Sequence, residues 1–454
     1  MKKIHMLLFL VTSISQAAVH INPNGLGEVL LIPYYTTNNG MNTNVTVSNT
    51  TEQVKAVKVV FREGRYGRTH QGLSVYLAPN DVWTFGMLNY RGTEAQVISH
   101  DLSCAPYFQS PMALYDGSAD PQPPNGFGYA EGLIEIYEMG ELDPSHGYGQ
   151  AVTFEGGLPR DCSQIEANWA QSGIWNDNQG HSEMLPPAGG LKSSVALIDV
   201  ENGVNYTYDA IAFDDFYPED FLLHSAPFDS YSHTLSLADT TSRVQHQGDN
   251  LITQWSTGFE AVSAVLTKNE LVTDYSNELN INAQTEVVMS FPTRGMHRGI
   301  TPTPPFEFLE WSNTGCEIFG GDVLDRNGMS VSYVPGGVSP LPPYLCRSVN
   351  VIKIWDVYDS MSVNYPILDS ENTYNQSIYK GKEGMYKIMF NQFTANGRSL
   401  DGTEVHKYHG LPVFALALTR YTNTDAQPGL LAQYGGAFVP SSKQKIEIEQ
   451  AEQQ

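Results

Sequence analysis

Acidic and aromatic side chains crowd one segment near the middle of the sequence. Four carboxylates lie among four aromatic residues, namely Asp214, Asp215, Glu219 and Asp220 among Phe213, Phe216, Tyr217 and Phe221. Paired carboxylates beside aromatic rings are the groups that glycoside cleavage uses. The spacing assigns neither the acid nor the base role to one residue. We therefore expect a solvated acidic loop over packed aromatic rings, and we keep a carbohydrate-directed hydrolase as the alternative.

Three loops carry Asp, Asn and Ser residues in patterns similar to parts of calcium-binding loops. They contain Asp116, Ser118 and Asp120, then Asn176, Asp177 and Asn178, and finally Asp322, Asp325 and Asn327. Carboxylate and amide oxygens are the ligands that Ca²⁺ prefers, but no loop has the bidentate glutamate that closes an EF-hand. The third loop is equally typical of a hairpin turn. The sequence favours structural turns, and Ca²⁺ is the one cofactor that it suggests, with Asp116, Asp120, Asp177, Asp322 and Asp325 as ligands.

Other motifs for chemistry are weaker. His406 and His409 form an H-x-x-H pair that could share a metal on a helix. Gly410 and Pro412 follow at once, so a turn with two exposed histidines is the better interpretation. No G-x-S-x-G, H-E-x-x-H or P-loop pattern occurs. We predict no catalytic and no cofactor-binding residue.

The amino end indicates export. Lys2 and Lys3 precede an apolar run over residues 6 to 11 and small residues up to Ala17, which is the order of a secretory signal peptide. No later apolar run approaches the length that crosses a bilayer. The chain has 25 basic and 49 acidic side chains, so its surface repels nucleic-acid phosphates and anionic lipid. We predict a secreted protein (cell surface, extracellular or periplasmic) with no nucleic-acid partner and no membrane span.

Four cysteines remain after the predicted leader, at positions 104, 162, 316 and 346. They form no C-x-x-C pair and are not interleaved with histidines, so zinc is the poorer interpretation. In an exported protein an even number indicates disulfides. Of the three possible connectivities we expect the sequential one, Cys104 with Cys162 and Cys316 with Cys346, because it joins neighbouring loops.

The elements that position these residues are mostly strands. Val57, Val59 and Phe61 face away from Lys58 and Arg62, and this period-two alternation is typical of half-buried antiparallel strands. Similar runs recur along the chain with turn residues between them.

Two local signals are more specific. Asn202 and Gly203 separate two strand-like runs and predict a tight hairpin. Residues 163 to 166 make a capping box and Gly173 can close the carboxyl end, which predicts one short helix directly after Cys162.

Eight blocks of the sequence resemble an uncharacterised family of secreted bacterial surface proteins. They are GEVLLIPYYT at 27–36, VTVSNT at 45–50, KAVKVVFREG at 55–64, LAPNDVWT at 77–84, SFPTR at 290–294, CRSVNVI at 346–352, GLPV at 410–413 and YGGAF at 434–438. The resemblance covers residues 27 to 438. It implies an exported immunoglobulin-like β-sandwich protein and carries no catalytic residue to this chain.

The prediction for the fold is therefore mainly β, with two antiparallel β-sandwich (immunoglobulin-like) domains, one short helix and long Pro/Gly-rich loops. We divide the chain into a signal peptide at 1–17, an amino-terminal sandwich at 18–280, a carboxyl-terminal sandwich at 281–440 and a polar, disordered or loosely helical tail at 441–454. The predicted function is a non-catalytic protein that acts at the cell exterior by adhesion, self-assembly, or binding of a polysaccharide or protein partner.

Overall fold

The computed structural model describes residues 17–90, 94–114, 129–176, 183–297, 303–306, 315–332, 343–357, 366–390, 399–402 and 406–448. Strands make up 53% of the structure and helices 9%, so the prediction of a mainly β protein is confirmed. The helices are α1 Gly147–Val152, α2 Cys162–Trp169 and α3 Gly258–Leu266. None of the described helices has the length and apolar character that crossing a membrane requires.

The strands of the first half are β1 His20–Ile21, β2 Val29–Thr36, β3 Met41–Asn49, β4 Val54–Glu63, β5 Thr69–Leu77, β6 Val82–Tyr90, β7 Glu94–Ile98, β8 Met112–Leu114, β9 Glu131–Leu142, β10 Phe154–Glu155, β11 Leu158–Pro159, β12 Leu191–Asp199, β13 Val204–Asp209 and β14 Ile211–Asp214. Those of the second half are β15 Thr241–His246, β16 Asp249–Gln254, β17 Thr267–Lys268, β18 Glu270–Ser276, β19 Gln284–Ser290, β20 Glu317–Ile318, β21 Gly320–Asp325, β22 Tyr344–Leu345, β23 Val349–Asp356, β24 Thr373–Ile378, β25 Glu383–Met389, β26 Ser399–Asp401, β27 His406–His409, β28 Leu411–Pro412, β29 Phe414–Gln427, β30 Leu430–Phe438, β31 Ser441–Lys443 and β32 Lys445–Ile448.

The sheets are arranged as a five-blade β-propeller, so the prediction of two immunoglobulin-like β-sandwich domains is wrong. The larger sheets have the orders β1-β14-β2-β9-β4-β5, β13-β12-β3-β6-β7-β8, β24-β23-β19-β29-β30, β21-β25-β18-β31 and β26-β27-β32. Some strands that follow each other in sequence, such as β2 and β3, lie in different sheets, whereas others, such as β4 and β5, pair within one sheet. Alternation of side chains predicts which face of a strand is buried, but it does not identify the neighbouring strand.

Strand pairing crosses the predicted domain boundary at residue 280 and extends into the predicted tail at 441–454. β18 precedes the predicted domain boundary at residue 280, yet it pairs with β25 and β31, which follow that boundary. The boundary itself stays a prediction. Residues 441–448, expected in a disordered or loosely helical tail, instead form β31 and β32, which pair with β18 and β27. Pairing with these strands supplies the hydrogen bonds that a polar segment lacks in isolation.

The local predictions are borne out more closely. β12 and β13 pair as the expected hairpin, and Gly203 has the positive φ of +67° that its turn requires. The helix α2 lies at the predicted position. Its N-cap is Asp161 rather than Ser163, and the Asp161 carboxylate accepts the Ser163 N–H at 3.2 Å.

Both predicted disulfides, Cys104–Cys162 and Cys316–Cys346, are present. The first attaches α2 to a core of aromatic side chains. In that core the Trp169 indole donates to the Tyr76 hydroxyl at 2.9 Å, and that hydroxyl lies 2.6 Å from His224 Nε2.

The strands β4 and β9 are neighbouring interior strands of one six-stranded sheet, and every residue of both is buried. The expectation of a half-buried β4 is therefore wrong. Its basic side chains remain inside because acceptors on distant segments meet them, including Glu135 beside Arg62 and the Ala226 carbonyl beside Lys58. Buried charges require such partners, because water is not available to solvate them.

The first described residues belong to the same core. Ala18 and Val19 are buried. The Val19 N–H donates to the Thr241 carbonyl at 2.9 Å, and the Val19 carbonyl accepts the Arg243 N–H at 3.0 Å. These bonds attach the amino-terminal segment to β15.

Candidate binding cleft

A cleft of about 540 Å³ lies where three connecting segments meet. One wall is the end of β4 and the turn into β5, the second is residues 231–236, and the third is the segment after β19, including Pro292 and Met296. The size is in the range of small-ligand sites. The cleft is the best candidate for a functional site, since charged, aromatic and hydroxyl groups converge on it.

The turn between β4 and β5 is shaped by the carboxylate of Glu63. Its oxygens accept the backbone N–H groups of Arg65, Tyr66 and Arg68 at 2.6, 2.8 and 3.0 Å. Burial raises the pKa of Glu63, and the three N–H groups and the nearby Arg68 partly offset that rise. Glu63 therefore fixes the turn that carries Tyr66 and Arg68 into the cleft.

Two guanidinium groups lie against the Tyr66 ring. Arg68 Cζ is 5.0 Å and Arg347 Cζ is 5.3 Å from the ring centroid. Contacts of this kind with an aromatic face hold a cation in place. Arg347 comes from the segment before β23, and the Ser348 N–H donates to the Arg65 carbonyl at 3.1 Å, so a distant part of the chain supports this wall.

Arg62 is a buried cation at the edge of the same cleft. Its Nε lies 2.7 Å from Glu135 Oε1, and its Nη1 donates to Thr69 Oγ1 at 2.6 Å. The Tyr137 hydroxyl donates to the other Glu135 oxygen at 2.6 Å. Burial alone would lower the pKa of Arg62, but Glu135 and Tyr137 outweigh burial and raise it. Arg62 thus keeps its charge and a fixed position.

The opposite wall is shaped by Asp229. One carboxylate oxygen accepts the N–H groups of Tyr231 and Ser232 at 3.0 and 3.2 Å, and the other accepts the Ser232 hydroxyl at 2.6 Å. Burial would raise the pKa of Asp229, but these hydrogen bonds prevail and lower it. The turn leaves Tyr231 with 75% of its surface exposed beside the cleft.

The side chains that line the cleft are of the types that bind an anionic, ring-shaped ligand. Guanidinium groups bind carboxylate or sulfate in a planar, two-pronged geometry. Tyrosine rings offer flat faces, and the hydroxyls of Thr69, Thr234 and Ser236 can exchange hydrogen bonds with sugar hydroxyls. Among the described residues that line the cleft, none is a carboxylate, histidine or cysteine.

The predicted acidic segment lies elsewhere. Asp214 accepts from the Asn22 amide at 3.1 Å, and Asp215 pairs with Arg243 at 3.1 Å. Glu219 and Asp220 are exposed. The aromatic residues of the segment fill the interior beneath, with Phe213, Phe216 and Tyr217 buried and Phe221 stacked on Tyr217. The segment is an acidic loop over packed rings, and none of its carboxylates lines the cleft.

The calcium candidates are only partly within the described residues. Asp116, Asp120 and Asp177 lie outside them. Asp325 closes a turn after β21 by accepting the Asn327 and Met329 N–H groups at 2.8 and 2.9 Å, and these bonds lower its pKa. Asp322 accepts from the Ser330 hydroxyl at 3.2 Å. Among the described side chains no group of three His, Cys, Asp or Glu could hold a metal ion, and the Ca²⁺ site stays a prediction.

The two histidines of the H-x-x-H pair are strand residues rather than exposed turn residues. His406 Nδ1 lies 2.8 Å from the Thr253 hydroxyl, and the buried His409 places Nε2 3.0 Å from Glu447. Positions three apart on a strand point to opposite faces. They therefore do not share a ligand.

The chain is thus a five-blade β-propeller with a cleft of arginine, tyrosine and hydroxyl side chains. Comparisons with protein-family models, with curated proteins and with solved structures give no match. The residues of the cleft were not among the sequence predictions. One signal could have indicated them, because residues 62 to 68 hold three arginines in a chain with only 25 basic residues.

Proposed function

We propose that this protein is exported and non-catalytic, and that it binds an acidic polysaccharide in the cleft between Tyr66 and Tyr231. The observation that carries the proposal is the convergence of Arg62 and Arg68 with these two tyrosines in a protein of formal charge −24. A strongly acidic protein repels an acidic glycan over most of its surface. Basic groups concentrated at one cleft therefore determine where such a glycan can bind.

Export is supported by two observations. The order of charged, apolar and small residues at the amino end is that of a signal peptide. All four cysteines are joined in two disulfides, and such bonds persist in oxidising compartments outside the cytosol. We therefore place the protein at the cell surface, in the periplasm or in the medium.

The absence of turnover is the second part of the proposal. Glycoside cleavage needs two carboxyl groups on either side of the scissile bond. The described lining of the cleft offers guanidinium, hydroxyl and aromatic groups instead. The hydrolase alternative rests on the four carboxylates Asp214, Asp215, Glu219 and Asp220. The first two are engaged by Asn22 and Arg243, and none of the four lines the cleft.

A glycan array with the purified exported protein tests the proposal, followed by calorimetric titration of the best ligand. We expect binding to glycans with uronate or sulfate groups, weaker binding at high salt, and no cleavage. Tyr231→Ala and Arg68→Ala should each weaken binding about tenfold. Tyr379→Ala and Arg160→Ala change an exposed tyrosine and an exposed arginine outside the cleft, and they should bind as the native chain does.

Two outcomes would contradict the proposal. Equal affinity of the Tyr231→Ala and native proteins for every glycan would exclude the cleft as the site. Cleavage of a soluble polysaccharide, lost on Asp215→Asn, would favour the hydrolase.

A further inference from the structure

The strand β30 is the edge of a five-stranded sheet and lacks the usual protection of an edge. In the described part of the chain it pairs with β29 on one side only. The sequence has no charged side chain from residue 426 to residue 442, although 16% of the chain is charged. Edge strands usually carry a charge, a proline or a bulge that prevents pairing with another chain. Residues 430–438 contain neither a charged residue nor a proline.

The outward face of β30 is apolar. Leu430, Tyr434 and Phe438 lie on this face with 50%, 50% and 61% of their surface exposed. The Tyr421 ring of β29 stacks on Tyr434 with a centroid distance of 5.0 Å. The opposite face is packed around Gly435, where a Cβ would lie 2.6 Å from the Tyr206 ring, although Leu431 on that face has 53% of its surface exposed. The exposed face and the free edge thus belong to the same nine residues.

We propose that β30 pairs with β30 of a second copy of this chain, antiparallel and about a two-fold axis at Tyr434. In that register Leu430 of one copy lies opposite Phe438 of the other, and Ala432 lies opposite Gly436. On the exposed face each large apolar side chain then meets another large one, and the small Ala432 meets the small Gly436. On the other face Leu431 lies opposite Ala437 and Gln433 lies opposite Gly435, so the self-complementarity under two-fold rotation is confined to the exposed face.

Charge restricts where a second copy can approach this chain. Each copy has a formal charge of −24, so two copies repel one another across most of their surfaces. The segment from 426 to 442 is an uncharged stretch where close approach costs little electrostatic repulsion. Like charges directly opposite one another destabilise paired strands, and the proposed register contains none. A foreign basic or acidic segment would find no charged partner on β30.

The size of the contact predicts a weak, reversible dimer. Nine residues of strand extend for roughly 30 Å. A single strand pair covers less area than a standard stable interface of about 1,600 Å². Sedimentation velocity of the purified full chain should therefore show a monomer–dimer equilibrium that depends on protein concentration. We expect a dissociation constant in the micromolar range or weaker.

The decisive variant is Tyr434→Lys, which places two lysines opposite each other at the axis. We expect it to weaken dimerisation at least about tenfold. Leu102→Lys is the matched control, because it adds the same charge at an exposed apolar residue outside any strand. The control should dimerise as the native chain does. Circular dichroism and thermal unfolding of both variants distinguish lost pairing from lost folding.

A charge-complementation test fixes the register. A chain with Leu430→Lys and Phe438→Lys should be monomeric, as should a chain with Leu430→Glu and Phe438→Glu, while an equimolar mixture should form a heterodimer. A native chain that stays monomeric at about 1 mM, a Tyr434→Lys chain that dimerises as tightly as the native one, or a mixture that fails to associate would each overturn the proposal.

Discussion

The Nζ of Lys55 lies 2.7 Å from Oε1 of Glu138, and neither side chain is exposed to solvent. The same ammonium group also contacts Glu141. Glu138 also accepts the N–H groups of Ala188 and Gly189 at 3.1 and 2.8 Å, so both of its oxygens are hydrogen-bonded. One lysine thus serves two carboxylates in the interior, and its removal would leave both without a cation.

Replacement Lys55→Met should therefore be severely destabilising. We expect the free energy of unfolding to fall by about 3 to 5 kcal/mol, because buried carboxylates lose their counter-ion. The double variant with Glu138→Gln should recover part of this loss. Lys443→Met is the control, since Lys443 is equally close to Glu270 but has 67% of its side chain exposed, and its loss should cost under about 1 kcal/mol. Urea unfolding measures each value, and similar losses for both lysines would contradict the prediction.

Glu28 should make the protein less stable as the pH rises. Burial raises its pKa to about 8, and Glu138 and Asp214 add repulsion, while the Phe216 and Tyr217 N–H groups oppose the rise. The folded state therefore holds a proton that the unfolded state loses near pH 4.5. This contribution to stability is complete below pH 4.5 and is lost as the pH rises towards 8.

The variant Glu28→Gln isolates this effect from other titrating groups. Buried His233, with a pKa lowered to about 4 by burial, acts in the opposite direction over part of the range. The free energy of unfolding of the variant should therefore be compared with that of the native chain at each pH. The difference in the free energy of unfolding should shift in favour of Glu28→Gln by a few kcal/mol between pH 4.5 and 8, and a constant difference would refute the assignment.

Glu63 should control the order of the cleft. Glu63→Ala removes the acceptor of three backbone N–H groups, and we expect faster amide hydrogen exchange at Arg65, Tyr66 and Arg68 together with weaker glycan binding. Glu63→Gln keeps one acceptor oxygen and should have a smaller effect. Unchanged exchange at these three amides in Glu63→Ala would show that other contacts hold the turn.

The two disulfides should contribute similarly to stability. Cys104–Cys162 spans 58 residues and Cys316–Cys346 spans 30. In the chain-entropy model these loops correspond to roughly 4 and 3.5 kcal/mol. Replacing each pair by serine should lower the melting temperature, and calorimetry of the two variants gives the comparison. A pair whose removal leaves the melting temperature unchanged would contradict the prediction.

The sequence predicts what local chemistry determines. Positive φ at Gly203 and the pattern of small and polar residues around it suffice for the β12–β13 hairpin. The helix α3 also has a local signal in the sequence, since Thr257 and Glu260 form a capping box. That helix was nevertheless not among the predicted elements. Local signals of this kind act between residues a few positions apart.

What the sequence does not predict depends on distant partners. Lys58 and Arg62 occupy the positions of a solvent-exposed face by alternation, yet both are buried, because Glu135 and the Ala226 carbonyl meet them from other segments. The arrangement of the sheets has the same origin, since β4 pairs with β9 across an intervening stretch of four strands. The cleft is formed by three segments that are distant in sequence, so no single motif predicts it.

The burial of Val19 has a consequence for maturation if residues 1–17 are a cleaved leader. Its two hydrogen bonds to β15 and the burial of Ala18 hold the chain within two residues of Ala17. For a leader that ends at Ala17, a peptidase must draw residues on both sides of the scissile bond into its own active site. Ala18 and Val19 cannot enter such a site while they occupy the core. For such a leader, cleavage would have to come before this segment docks, and a precursor that completed the core first would resist processing and stay tethered to the membrane.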